Sequence, residues 1–317
     1  MRTTILLLSV DEAPLLEHSL PAACAQPGAE VVVIDNGCGD ETAALASRHG
    51  ARVLTLDRRL SYAAAINAGV AATAGDDAVL LLNADCVLDA RFLAAAMPRL
   101  AQDRTGSVAP RLLRARGMRP ADRLDEIDAA GMVVDRRRKN TLAGHCEPGN
   151  ARRTPGLAFG ADGAAALYRR ETLADCAVGG ELLDESMALW ASDVDLAWRA
   201  RLLGWDCAYE PTALAWHVRH YSPSTRAQVS EHDRRLQFRN RYLMMAKNDS
   251  AADLLRDAPR IAFYEVLALG HALLRERHLL GGYRDAWRLR GEATRRRALV
   301  QARRRAGRVP FGLQPPR

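Results

Sequence analysis

Two glycine-rich phosphate signatures are missing from this chain: no GxGxxG follows its first strand-like run, and no GxxxxGK[ST] occurs anywhere. That argues against a dinucleotide dehydrogenase or a P-loop kinase, which cradle phosphate on a glycine-rich turn opening a helix. The six cysteines, Cys24, Cys38, Cys86, Cys146, Cys176 and Cys207, form no CxxC pair and no zinc spacing. Free thiols in a reducing compartment are expected, not a disulfide framework. No apolar run reaches the roughly 18–20 residues of a membrane-spanning helix; the best candidate, 261–274, carries Glu265 and His271. The N-terminus has no basic region and no small-residue cleavage site, so no signal peptide and a cytoplasmic setting are expected. Aromatic residues make up only 5% of the chain, and Trp287 stands alone among the C-terminal arginines. Those are too few stacking surfaces for a nucleic-acid platform, so no nucleic-acid partner is expected.

Apolar residues, by contrast, make up 48% of the 317, enough for a globular core. Strand-like runs at Thr3–Ser9, Glu30–Asp35, Arg52–Leu56 and Val79–Leu82 alternate with helical stretches at 11–26, 41–49 and 61–74. This alternation predicts an α/β domain whose mostly parallel, Rossmann-like sheet is joined by right-handed crossovers. Such sheets bind ligands past the C-terminal ends of their strands. Two acids stand there: Asp35, before the turn Asn36-Gly37-Cys38-Gly39-Asp40, and Asp85, in Asn83-Ala84-Asp85. Strand-end carboxylates without a glycine-rich loop suit a divalent cation that neutralises a diphosphate. Asn83 and Asp85 fit equally an ordinary strand end leading into a helix.

The pattern loosens over 105–154, where mobile loops shaping an acceptor site are expected, with a short edge strand at Val108-Ala109-Pro110 and a meander over 127–134. Gly160-Ala161-Asp162-Gly163 then allows close backbone approach before a strand over 164–168. Ser192 reads as the N-cap of a helix with Asp193 and Asp195 in its first turn and Gly204 at C′. Asp193 suits a general base facing a cleft; acids complementing a helix dipole are the plainer reading. His217 ends an apolar run, either as a metal ligand or as a buried structural histidine.

In order and at their spacing, these segments resemble the family 2 glycosyltransferases of the GT-A fold, nearest the bacterial rhamnosyltransferase-like branch. Val33–Asp40 resembles the family's VVDNGSxD segment, and Ser61–Gly69 its GFAxAxNxG segment. Leu82–Asp85 stands where the DXD-type metal motif falls, here as NxD. Gly160–Leu167 with Arg169-Arg170-Glu171 resembles GAxLLxRRE, Ser192–Trp205 the segment carrying the catalytic base, and Trp216-His217 the late histidine. The likeness spans about 3–220. It implies inverting transfer of a sugar from a nucleoside-diphosphate sugar, dTDP- or UDP-linked and dTDP-rhamnose among them. The acceptor it implies is a hydroxyl of a glycan or lipid-linked molecule in cell-envelope polysaccharide synthesis. Asp193 is implied as the base, Asp35 as the partner of a pyrimidine ring, and Ser9, Asp11, Asn67, Asn83, Asp85 and Gly163 as donor contacts. Mg²⁺ or Mn²⁺ is implied on Asp85 and His217. The chain departs from the pattern with Ser9-Val10-Asp11 for Thr-Tyr-Asn, Ser61 for Gly, Ser192 for Glu, and Asp162 in an apolar segment. A catalytically weak or inactive sugar-nucleotide-binding relative is the alternative.

The expected organisation is a GT-A domain over 1–225, with a nucleotide-binding half (1–104) and an acceptor and catalytic half (105–225), then a helical basic region over 226–317. Net charge is +7, and eleven arginines beyond Tyr283 face only Asp285 and Glu292. Such a tail points to a polyanionic neighbour. An apolar segment at 261–274 before those arginines suits peripheral contact of 255–317 with the inner face of the cell membrane. Packing of that segment on the catalytic domain, or against a second copy as a homodimer, is the other option.

Overall fold

The computed structural model describes residues 1–219, 226 and 228–316; Arg317 of the basic tail lies outside them. β1 (Thr3–Ser9), α1 (Ala13–Cys24), β2 (Ala29–Asp35), α2 (Thr42–Arg48), β3 (Arg52–Thr55), α3 (Tyr62–Ala72) and β4 (Ala78–Asn83) follow one another as strand and crossover helix. The strands lie parallel in the order β4-β1-β2-β3. Every residue of β1 is buried, because helices cover both faces, which is why it reads as a continuous aliphatic run. The register pairs Ser9 with Asp35 and Leu8 with Asn83. Ser9, Asp35 and Asn83 therefore stand at one carboxyl edge of the sheet.

The second half adds β5 (Cys86–Leu88), α4 (Phe92–Leu100), β6 (Thr105–Ala115), β7 (Arg123–Ala129), β8 (Met132–Val134), β9 (Asn140–Leu142), β10 (Gly156–Ala158), β11 (Ala165–Arg169), α5 (Arg170–Cys176), α6 (Ser192–Leu202) and β12 (Asp206–His217). It makes the sheet mixed. β11 runs antiparallel to β4 and β6, while β12 runs parallel to β6 and antiparallel to β10 and β5. The parallel character read from the sequence thus belongs to the first hundred residues.

The expected short edge strand at 108–110 is instead part of β6, an eleven-residue strand inside the sheet. Proline cannot donate to a ladder and is rare in such strands. Pro110 is tolerated because it faces Glu210 at the point where β12 shifts register between Glu210 and Leu214. Nor is 105–154 mainly loop: β7 pairs with β6, and β8 pairs with β9.

Beyond β12 come α7 (Glu231–Asn248), α8 (Ala251–Leu274) and α9 (Leu280–Ala302). The chain end returns to the catalytic half, where Phe311 packs edge-on to Trp198 at 5.1 Å and Arg152 donates to the Pro315 carbonyl. Several tail arginines bond to the protein itself. Arg296 pairs with Glu181, Arg297 donates to the Asp249 carbonyl, Arg303 to the Asp175 and Ala177 carbonyls, and Arg305 to the Leu203 carbonyl. α8 behaves oppositely: Leu255, Phe263, Val266 and Leu274 are 77%, 65%, 69% and 83% exposed.

Candidate active site

At the carboxyl edge, Asp35 is buried and its Oδ1 accepts the Cys38 N–H at 2.8 Å. The turn after it needs Gly37, whose φ is +66° and whose Cβ would lie 2.9 Å from the Arg59 nitrogen. Asn36 and Leu60 exchange two hydrogen bonds that tie this turn to the segment before α3. Ser61 then caps α3 by accepting from Ala64 N. Ser9 is fully buried, its hydroxyl shared with Thr42. Asp11 is exposed, with φ +58°, and is ion-paired with Arg59.

A continuous chain of polar contacts starts at Asp85. Its Oδ1 lies 3.2 Å from His217 Nε2, and the other ring nitrogen, Nδ1, lies 2.8 Å from Asp128 Oδ2. β12 ends where β5 pairs with it, His217 opposite Cys86, which explains why a strand terminus and the residue after β4 meet. Burial opposes charge on His217, but Asp128 and then Asp85 outweigh it and raise its pKa to about 9. Asp128 also grips Arg219 through both oxygens, at 2.7 and 2.8 Å. Burial works against its charge, yet His217 and Arg219 hold it well below the usual carboxylate range. Arg219 continues to Asp162 Oδ2 at 3.0 Å.

Next to Asp162, the Gly163 N–H donates to Asp193 Oδ2 at 3.2 Å, and Val194 N–H to Asp193 Oδ1 at 2.8 Å. Asp193 therefore joins the same chain from the opposite end. Burial first, then the charge of Asp162, push its carboxyl from 3.8 up to about 6. Tyr62 stands among them: a Cβ on Gly163 would lie 3.7 Å from its hydroxyl. Burial and then Asp193, Asp162 and Asp85 raise the Tyr62 phenol. The cap of α6 is Ala191, in the left-handed region, and not Ser192. Ser192 is the first helical residue, and among the described residues its buried hydroxyl has no hydrogen-bond partner. Gly204 does follow the helix with φ +84°, as a C′ glycine should.

The sequence-derived candidates do not all converge. Asp85, His217, Gly163 and Asp193 are joined through the contact chain, and Asp35, Asn83 and Ser9 line the adjacent strand ends. Asn67 faces elsewhere, its side chain exchanging hydrogen bonds with the Leu183 backbone and reaching Glu185. Two links, Asp128 and Arg219, escape a sequence reading, and a third, Asp162, is noted there without a role. Asp162 alone carried a signal, as an acid in an apolar segment.

The donor chemistry at Asp85 and His217 fits a divalent cation. A carboxylate and an imidazole nitrogen face each other, and Asp128 orients the ring from behind through Nδ1, the usual arrangement behind a metal-bound histidine. A second group, Asp11, Cys38 and Asp40, brings its ligand atoms within 4.8 Å of one another. There, Asp11 is held by Arg59 and the Gly39 N–H, and Asp40 accepts from Ala13 and Thr42.

The chain is 42% identical over 76 residues to an uncharacterized glycosyltransferase of Mycobacterium bovis, and equally to one of Mycobacterium tuberculosis. That stretch is 23% of this chain and 34% of each relative, so the chain spans about a third of their length. Among solved structures it is similar to S. aureus TarS 1–349 in complex with UDP-GlcNAc, with TM-score 0.62 and 13% identity over 95% of this chain and 91% of that one. It is also similar to a mannosyltransferase of Pyrobaculum calidifontis with GDP-Man and Mn²⁺, with TM-score 0.54 and 19% identity over 95% and 85% of the two chains. GalNAc-T7 with UDP, GalNAc and Mn²⁺ matches 78% of this chain and 48% of its own, with TM-score 0.61 and 14% identity. At such identities the likeness is one of fold: a central sheet flanked by helices, the GT-A architecture. The sequence model of the family described as Glycosyl transferase family 2 matches residues 4–176, more than half of the protein; the chain belongs to that family.

Proposed function

We propose that this glycosyltransferase moves a sugar from a nucleoside-diphosphate donor to a hydroxyl with inversion. The observation that carries the reading is the contact chain from Asp85 through His217, Asp128, Arg219 and Asp162 to Gly163 and Asp193. Asp193 is the general base: it takes the acceptor hydroxyl's proton as that oxygen attacks the anomeric carbon and the bond to the diphosphate breaks. A base raised to about 6 is ionised at neutral pH yet basic enough to help, a role worth about 10²–10⁴-fold. Asp85 and His217 would hold Mg²⁺ or Mn²⁺, which would supply charge neutralisation for the departing diphosphate. Asp35 accepts from a uracil or thymine ring N–H. Asn83, Asp85 and Gly163 line the donor, Ser9 supports the strand ends beside it, and Asn67 acts at a distance by holding the Leu183 backbone.

The donor is UDP- or dTDP-linked, with dTDP-rhamnose one candidate, and the acceptor is a glycan or lipid-linked hydroxyl. The catalytic unit is 1–225 and the helical region 226–317. Membrane contact runs through α8. Its acids Asp253 and Asp257 are buried and Glu265 is held by Arg241 and Tyr242, leaving an apolar face edged by exposed Arg260 and Arg275. That combination suits an anionic leaflet.

A thermal-shift screen of UDP-, dTDP- and GDP-sugars with Mn²⁺ tests the reading. One of the first two classes should raise the melting midpoint and then release nucleoside diphosphate. Chelator or Asp85→Ala should remove both effects. Binding without turnover indicates an inactive relative, and chelator-independent turnover contradicts the metal site.

A further inference from the structure

The segment leading into α6 bends through two alanines with positive φ: Ala188 at φ 63°, ψ −73°, and Ala191 at φ 63°, ψ 13°. Side chains with a Cβ resist that region, and such bends persist only where their surroundings over-determine them. On one side the surroundings are α3, whose Ala63 N–H donates to the Ala188 carbonyl at 3.0 Å and whose Asn67 exchanges hydrogen bonds with Leu183. On the other side stands α7. Asn240, fully buried, donates from Nδ2 to the Met187 carbonyl at 2.8 Å and to the Trp190 carbonyl at 2.7 Å, bracketing Ala188. Its Oδ1 accepts from Arg239 Nε and Nη2, which fixes the amide's orientation, and Arg239 also donates to the Ser186 carbonyl.

Two turns further along α7, on the same face, Lys247 lies 2.5 Å from Asp184 Oδ2 and 3.0 Å from Asp195 Oδ1. Asn248 Nδ2 donates to the same Asp195 oxygen at 2.7 Å. α7 therefore grips a residue four positions before the bend and one in the first turn of the helix after it. Asp193 lies between the gripped points.

We infer that α7 is a positioning clamp that sets where Asp193 presents its carboxylate, with Asn240 as the residue holding the bend; the inference rests on Asp193 being the base. Among the described residues the Asp193 carboxyl accepts from Gly163 and Val194 and from no α7 side chain, so the α7 groups are positioning residues. The helical region then has a part in turnover as well as in any surface contact. The geometry explains why Asn240, Lys247 and Asn248, polar residues on a helix, are nearly or fully buried.

The test uses the whole 317-residue chain with Asn240→Leu, which keeps the branching and heavy-atom count of the side chain and removes both donors. Amide hydrogen exchange should accelerate within 184–193 and not in β1 or β4. With the nucleotide sugar selected by the thermal-shift screen and Mn²⁺, kcat for nucleoside diphosphate release should fall by about 10- to 100-fold, with donor KM within about twofold. Adding Ala188→Gly and Ala191→Gly, which removes the resistance to positive φ, should restore part of kcat. If the single variant does not fold, the triple variant against the double glycine variant gives the same comparison. Unchanged exchange at 184–193 overturns the clamp whatever the reaction. Accelerated exchange with unchanged kcat overturns its positioning role. A wild-type chain that turns over no donor overturns the base assignment and the positioning role together, while exchange still reports on the clamp itself.

Discussion

Asp193→Asn separates what this carboxyl does for the fold from what it does for turnover. Its pKa is pushed from 3.8 to about 6 by burial and by Asp162. A group raised in the folded state destabilises the fold once ionised, and the cost grows as pH rises from about 4 to 6, then stays level. At pH 8 that cost is about 3 kcal/mol. Asparagine removes it but offers one oxygen where Asp193 accepts from both Gly163 and Val194, which returns about 1 kcal/mol. The net stabilisation at pH 8 is about 2 kcal/mol, or about 3 °C in melting midpoint for a chain of this size. At pH 4.5 the remaining ionisation cost is about 1 kcal/mol, which the lost hydrogen bond cancels. Differential scanning calorimetry of both proteins at the two pH values reads this directly, while turnover falls by about 10²–10⁴-fold. Equal midpoint differences at pH 4.5 and 8 refute the perturbed carboxyl, and retained turnover refutes the base.

Other outcomes follow from the same geometry. In the wild-type enzyme, kcat/KM should drop below pH 6 as Asp193 protonates, and a profile flat down to pH 5 contradicts that. Asp128→Ala strips a buried carboxylate from Arg219 and His217; it should cost about 3–5 kcal/mol in urea unfolding and about 10–100-fold in Mn²⁺ affinity. Unchanged Mn²⁺ binding would place the metal elsewhere. Flotation with anionic vesicles should fall in Leu255→Ser/Phe263→Ser/Val266→Ser, and a change in oligomeric state instead would assign the α8 face to a second copy.

The parts of the fold legible in the sequence were those with simple periodicity. β1, β2 and β4 are buried on both faces and read as unbroken aliphatic runs. β6 did not, because Pro110 and the buried Arg111 interrupt its apolar pattern, and the register shift in β12 that accommodates Pro110 has no local signature. Asp85, Asp193, Gly163 and His217 were legible through motif order and spacing. Asp128 and Arg219 were not, since their contact joins residues 91 apart in the chain and neither sits in a repeating pattern. Arginine content divides in the tail: Arg296, Arg303 and Arg305 bind carbonyls and carboxylates of the protein itself, while Arg284, Arg288, Arg290, Arg295 and Arg308 are exposed, and composition cannot distinguish the two groups.

Manganese-edge anomalous diffraction from crystals grown with Mn²⁺ and the nucleotide sugar selected by thermal shift bears most directly on the claim that Asp85, His217 and Asp193 serve one donor site. The account predicts one peak coordinated by Asp85 and His217, with the diphosphate beside it and the anomeric carbon on the side facing Asp193. A peak at Asp11, Cys38 and Asp40 instead, or a donor sugar pointing away from Asp193, contradicts it.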